Sequence, residues 1–464
     1  MTADVRYTGR ARRAELQGKP MSMRLLVALV GALCATLVAS VTIPVPSIPS
    51  ITGFGQLSAA QVVQSGRPPA LLEPGGEAPG PAFSGAWLRR RETRVNVGLL
   101  GTITAGMAPA LTLNLFSDVE LLAVFERMEA TNPGSVWVGH LEDEPMSSVT
   151  LAVVDGVLSG QVSHAGGLYE ITADADGAAV VSRLDPSRIQ GDEPVGLLSR
   201  GAWPPDPDAG LSAAGGELTV ITVANFYTKA AKKRAGGPAA IKASIAGNIA
   251  RTNTAYIESG VDQRIKQVSV RQINYKETGS ISTDLIRLAD TTDRFMKSAH
   301  TVRNAKKADL VSLIVSQAVT WRCGGVAYTP SNGPPGDTGA FSVIEFPLCM
   351  ADIVYAHELG HNMGLMHDWY ASDDTGTFNY GHGHVDTKKK FVTIMAYLSH
   401  CQALGLTCTR YALFSNPKKK FLGRKTGVGG KKTKCKAGKT KPSNCAANAA
   451  RALNNTGKIV AAFR

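Results

Sequence analysis

Between Tyr355 and Asp368 the chain reads YAHELGHNMGLMHD, and this spacing constrains the rest of the molecule more than any other feature. His357 and His361 stand four residues apart, so on a helix both imidazoles leave the same face and can reach one metal ion. Glu358 lies beside them, too far round the helix to be an easy ligand but well placed to take a proton from a water that the metal activates. Gly364 follows where a helix would stop, because glycine tolerates the left-handed conformation that turns the chain. That turn can return His367 to the same ion. Three neutral imidazoles with a fourth position left for water make an open, catalytic zinc site, whereas structural zinc sites are closed and thiolate-rich. A bare HExxH arises by chance in roughly one chain of this size in a hundred; the added Gly364, His367 and Asp368 make chance a poor account.

Downstream, Thr393 to Tyr397 reads TIMAY. Met395 alone would be core filler, but a methionine on a tight turn beneath the metal is the companion of the long histidine motif. Together the two segments resemble the metzincin clan of zinc endopeptidases, and the HNMGLMHD continuation resembles its reprolysin (adamalysin-like) branch. The resemblance implies one catalytic Zn2+ on His357, His361 and His367, with Glu358 as general base. It gives Gly364 and Met395 structural roles, and leaves Asp368 to orient the local backbone rather than bind metal. Tyr397 departs from reprolysins and stands where astacin- and serralysin-type enzymes carry a metal-proximal tyrosine. Two readings of it stand open: a phenol donating to the developing oxyanion, or a packed aromatic. With three ligands in place, His382, His384 and His400 are expected to be spare and to face solvent.

The start of the chain reads as an export address. Residues 1–40 combine a basic leader with an apolar run, Leu25 to Val41, that follows Arg24 and passes small residues suited to signal-peptidase cleavage after Ser40. The alternative is an uncleaved membrane anchor over residues 25–43. Beyond Cys34, six cysteines lie in the last third of the chain, and an even number in an exported protein suggests three disulfides. Six cysteines permit fifteen pairings, of which Cys323 with Cys349, Cys401 with Cys408 and Cys435 with Cys445 is the local one; a thiolate zinc cluster is the alternative, which no CxxC spacing supports.

Residues 41–86 are rich in Pro, Ser, Gly and Ala and read as a flexible low-complexity segment. Residues 87–200 show short alternating runs with turn signals at Asp155-Gly156 and Gly166-Gly167, the pattern of a small antiparallel β domain. The stretch from WVGHLEDEP through DGVLSG to GGLYEI resembles the propeptides that precede bacterial reprolysin-like peptidases. No cysteine lies between Val41 and Arg322, so latency by a thiolate on zinc is excluded. His140 and His164 read as surface or turn residues. Residues 201–216 form a Pro/Gly-rich linker, near which maturation would fall.

Residues 217–464 read as an α/β (α+β) domain, which the resemblance makes a metzincin catalytic domain with a mixed sheet and zinc helix. The expected elements are strands at Leu218 to Phe226, Arg264 to Ile273, Asp309 to Ser316 and Phe341 to Phe346, with helices at Pro238 to Ile257 and Thr283 to Val302. By the resemblance, Phe341 to Phe346 is the antiparallel edge strand on which substrate adds. CGGVAYTP, Cys323 to Pro330, reads either as the segment leading into it or as a Gly-rich turn. The final stretch, Asn444 to Arg464, is either a helical cap or a tail.

After Asp386 there is no Asp or Glu, against 18 Lys and Arg, concentrated from Lys418 to Lys441. Such a run is a solvated face or attracts acidic partners. Cys408 to Pro417, CTRYALFSNP, followed by a Gly-rich stretch, resembles peptidyl-Asp metalloendopeptidases, which cleave on the amino side of Asp. That resemblance implies a basic substrate pocket, with Arg410 as the side chain to pair with a carboxylate. The combined expectation is a secreted, monomeric zinc endopeptidase acting on proteins or peptides, with no specific nucleic-acid partner. The alternatives are a broad-specificity reprolysin-like peptidase and a binding protein docking through its basic tail.

Overall fold

The computed structural model describes residues 66–74, 87–185, 190–191, 218–292, 294–316, 322–329, 337–374, 376–430, 435–439 and 444–464. The leader, the apolar run 25–43 and the linker 201–216 lie outside the described residues, and so does any test of them. Among the described residues no helix is long and apolar enough to cross a membrane.

An antiparallel sheet of eight strands comes first: β1 (Trp87–Arg94), β2 (Ala110–Phe116), β3 (Val119–Ala130), β4 (Ser135–Leu141), β5 (Glu144–Val154), β6 (Val157–His164), β7 (Gly167–Ala173) and β8 (Ala178–Leu184). From β2 to β8 each strand pairs with its successor, and β1 joins the far edge at β8. The β5–β6 turn is Asp155-Gly156, with φ of 49° and 79°, the left-handed pair whose twist matches that of the flanking strands. Along β5 the two-residue period sends Val149, Leu151 and Val153 into a core with Trp137, Leu158, Val162 and Ile171. The alternate residues Ser148, Thr150 and Ala152, small or polar, point the other way and are buried too.

Residues 66–74 correct part of the expected flexible segment. Leu71 N donates to Thr112 O at 2.9 Å, Leu72 bridges to Val95, and both leucines are buried in the sheet's core. Burying two leucines is worth about 1.5–3 kcal/mol each, enough to hold a short segment against a preformed surface.

The second sheet has five strands in the order β11-β10-β12-β15-β14. It is built from β10 (Thr219–Tyr227), helix α1 (Pro238–Ser259), β11 (Gln263–Gln272), helices α2 (Ile281–Ala289) and α3 (Lys297–Lys306), β12 (Leu310–Ser316), β14 (Gly325–Ala327) and β15 (Phe341–Phe346). Two short strands stand apart: β9 (Gln190–Gly191) runs parallel to β13 (Arg322–Cys323), just before β14. Helix α1 is bounded as its sequence dictates, with Pro238 in its first turn and Gly260 ending it at φ 69°, ψ 44°.

Two expectations are corrected here. The helix expected over Thr283 to Val302 is two helices, α2 and α3. Asp290 Oδ1 accepts from Thr292 N and Oγ1, both at 2.7 Å, a local turn that competes with continued helix. Nor is Phe341–Phe346 the antiparallel edge: it runs parallel to β12 inside the sheet, and the antiparallel edge is β14. A three-residue strand with a glycine is too short to show a period in sequence.

The sheets meet across α1. Ala243, Ala246 and Ala250 pack against Val136, Val138, Ala152 and Val154 of β4 and β5, while Ile241, Ile245, Ile249 and Tyr256 enter the core of the five-stranded sheet. A helix buried on both sides needs small residues where a sheet comes close, and a Cβ built on Gly247 would lie 3.7 Å from that of Ala152. This explains why the polar face of β5 is buried. Helix α4 (Val354–Asn362) carries His357 and His361, and α5 (Ala449–Val460) makes the C-terminal stretch a helix. The cysteines pair as 323–349, 401–408 and 435–445.

Candidate metal and catalytic site

Helix α4 begins after Ile353, a β-branched residue at φ 59°, ψ 23°. Left-handed backbone there costs about 1–3 kcal/mol and persists only where the surroundings over-determine it. The helix ends before Gly364, at φ 87°, where an added Cβ would fall 2.0 Å from Thr377 Oγ1. Both backbone angle and space therefore require glycine at the turn that returns His367 to the helix.

The Nε2 atoms of the three histidines converge. His361 lies 3.1 Å from His357 and 2.9 Å from His367, and His367 lies 3.2 Å from His357. A backbone carbonyl can only accept, so His357 Nδ1 donates to Ile394 O at 2.8 Å and His361 Nδ1 donates to Leu365 O at 2.9 Å. Their Nε2 atoms then carry lone pairs that face one another, an arrangement a cation satisfies. Metal–nitrogen bonds of about 2.0–2.1 Å in a tetrahedron place nitrogens roughly 3.4 Å apart, close to the spacing here. All three rings are buried, and burial holds their basicity below the ordinary imidazole range.

Glu358 is buried beside them, and burial pushes its carboxyl well above the usual range while Arg410 opposes the shift. A Cβ on Gly325 would stand 2.3 Å from Glu358 Oε1, so the glycine of the edge strand makes room for the carboxylate. Asp368 does not join the ligand cluster. Its Oδ1 accepts from Tyr370 N at 3.0 Å and its Oδ2 from Tyr397 N at 2.8 Å, pinning the methionine turn to the third histidine. Met395 is fully buried under α4, where a Cβ on Gly360 would meet its sulfur at 2.6 Å. The Tyr397 ring lies against His367 and His357, at 4.3 and 5.9 Å between centroids.

Arg410 is placed otherwise than the sequence suggested. Its guanidinium pairs with Asp352 inside the chain and donates to Ala396 O at 3.2 Å, so the carboxylate it meets is the protein's own. Of the three histidines expected to face solvent, His382 does not, whereas His384 and His400 are half-buried and line the cleft alongside the site. His382 is fully buried, donates from Nδ1 to His367 O at 2.7 Å and stacks on Trp369. His384 is half-buried, and His400 stacks on Tyr370 beside Asp368. His382 and His384 pack in the loop that follows α4 and His400 in the short helix Ser399–Ala403, a course the sequence does not announce.

Asn362 is a site residue that sequence reasoning missed. Its Nδ2 donates to the carbonyls of Tyr328, Gly339 and Phe341 at 2.9–3.1 Å, fixing α4 to the β14–β15 connection. Its place between His361 and Met363 was the available signal. Alongside the site a cleft of about 770 Å³ is lined by Asp368, Tyr370, Lys388, His400, Lys436 and Lys439 among others.

Neutral nitrogen donors aimed at one point, with an acid beside them and a short antiparallel edge strand alongside, suit hydrolysis of peptide chains: the molecule is a zinc metalloendopeptidase. Residues 218–422 match the Metallo-peptidase family M12B Reprolysin-like model and form a reprolysin-like metallopeptidase domain. Curated relatives extend the likeness over most of the chain. A peptidyl-Asp metalloendopeptidase of Stenotrophomonas maltophilia strain K279a is 28% identical over 364 residues, covering 74% of this chain and 80% of that protein. One of Xanthomonas campestris pv. campestris is 27% identical over 363 residues, covering 74% and 79%.

Proposed function

We propose that the chain is the precursor of a secreted zinc endopeptidase that cleaves on the amino side of acidic residues, aspartate above all. The observation that carries this reading is the convergence of His357, His361 and His367 Nε2 within 2.9–3.2 Å beside the buried Glu358. His357, His361 and His367 would hold a zinc ion, which would supply Lewis acidity to polarise the scissile carbonyl and lower the pKa of a water. Glu358 takes that water's proton and passes it to the leaving amine. Tyr397, whose ring lies tilted against His367 and stacked on His357, donates to the oxyanion. Substrate adds as a strand on β14, whose pairing to β15 leaves its other side for a peptide.

The acidic preference draws support from Lys388, Lys436 and Lys439 along the neighbouring cleft, and from the names of the relatives. Paired cysteines suit an oxidising compartment. The β-sheet domain serves as the propeptide. The strand that follows it, β9, pairs with β13 beside the substrate edge, which supports a latent precursor.

The test is a cleavage map of a denatured protein digested by the processed chain. Cuts before Asp, abolished by chelation and lowered about 10²–10⁴-fold by Glu358→Ala, are expected. Cuts at mixed sites would remove the acidic preference and keep the peptidase; no cuts from zinc-loaded, processed protein would remove both.

A further inference from the structure

Several polar contacts between the two sheets converge on one side chain. Arg251 of α1 is 3% exposed, and its Nη1 donates to Gln161 Oε1 at 3.0 Å, Met350 O at 3.2 Å and Ala351 O at 3.1 Å. Gln161 belongs to β6, and its Nε2 donates to the same Met350 carbonyl at 3.2 Å. Glu170 stands directly across from Gln161 on β7, and its buried carboxyl acts on Arg251 electrostatically.

The two carbonyls end the short helical turn Leu348–Ala351, and only Asp352 and the left-handed Ile353 separate them from α4. From the other side Arg410 grips Asp352. The segment that starts the histidine helix is thus clasped by two guanidinium groups, and the eight-stranded sheet fixes one of them. The sheet's docking does not depend on that clasp, since the alanine face of α1 and the Arg127 to Thr254 hydrogen bond at 2.7 Å hold it independently.

We propose that Arg251 is a positioning residue: through it the docked eight-stranded sheet fixes Met350–Ile353, and with them the start of α4 and the stance of His357 and Glu358. The sheet then braces the metal centre from behind, whatever its fate once the chain has folded. A propeptide acting only as a plug would leave α4 indifferent to Gln161.

The test uses the full-length chain with Gln161→Leu, Arg251→Met and, as a control that cuts a peripheral tie, Arg127→Ala. Two quantities are read: amide hydrogen exchange at Ala356 and His357, whose N–H groups bond to Ile353 O, and retention of zinc against a competing chelator. Gln161→Leu and Arg251→Met should each exchange about tenfold faster there and hold zinc about tenfold less tightly, with Arg127→Ala unchanged in both. Unaltered exchange and zinc retention in Gln161→Leu overturns the proposal, and this variant decides alone if Arg251→Met does not fold. Equal loosening by Arg127→Ala also overturns it, because the effect would then be general to the interface.

Discussion

The metal centre and the buried charge network are both polar clusters in the core, but they are assembled in opposite ways. The three imidazoles lie between residues 357 and 367, placed by one helix and one glycine turn. The network joins Gln161, Arg251, Asp352 and Arg410, which meet only when both sheets and the methionine turn have docked. The first is geometry that local sequence carries, while the second is a report on tertiary assembly. Substitutions in the network should therefore cost stability, globally at the Asp352–Arg410 pair and locally at the start of α4 for Gln161 and Arg251, and substitutions at the metal-facing side chains should mainly cost chemistry.

The largest effect expected on that comparison comes from Asp352→Asn. Asp352 is 1% exposed and is the carboxylate partner of Arg410, so neutralising it leaves a buried guanidinium uncompensated. Loss of one partner of such a pair costs about 3–5 kcal/mol. Denaturant unfolding should show that loss, and adding Arg410→Met should recover part of it, because a neutral pair leaves no stranded charge. A loss under about 1 kcal/mol would place the pair among weak surface bridges and break the contrast.

Glu170 gives the network a pH signature. Burial raises its carboxyl from the ordinary 4.5 to about 7, with Arg251 opposing. Between those values the folded protein keeps a proton that the unfolded chain has lost, so stability falls as pH rises through that window. Above it the penalty is constant. Glu170→Gln removes the titration: the variant should match the parent near pH 4 and exceed it at pH 8, by at most about 3 kcal/mol. Parallel stability curves for the two proteins between pH 4 and 8 would show that the carboxyl is not held neutral by the interface.

How much was legible follows the same divide. HELGHNMGLMHD brings His357, Glu358, His361 and His367 together because the helical period and one glycine do the geometry locally. Hairpin turns such as Asp155-Gly156 announce an antiparallel β domain for a similar reason, since from β2 to β8 each strand pairs with its successor; that β1 closes onto β8 is not written locally. The order of the five-stranded sheet is not written that way. Gly325–Ala327 is too short to show a period, and only the fold makes it the edge. Ser148, Thr150 and Gln161 look like a solvated strand face until α1 covers them. Arg410 reads as a substrate contact because nothing near it in sequence reveals Asp352, 58 residues away.

The smallest effect tests whether Met395 belongs to the metal centre or to the packing beneath it. Its side chain is fully buried against Gly360 of the histidine helix, with its sulfur where a Cβ on that glycine would clash at 2.6 Å. Leucine has similar volume but branches earlier, so Met395→Leu should cost less than about 1.5 kcal/mol and change turnover little. Gly360→Ala, which forces a methyl group into that contact, should cost more, and pairing it with Met395→Leu should not relieve the clash, because leucine's branch occupies the same space. A large loss of turnover in Met395→Leu with unfolding unchanged would mean that the methionine tunes the ligands chemically. The local, helix-made character of the site would then extend beyond its histidines to the turn that supports them.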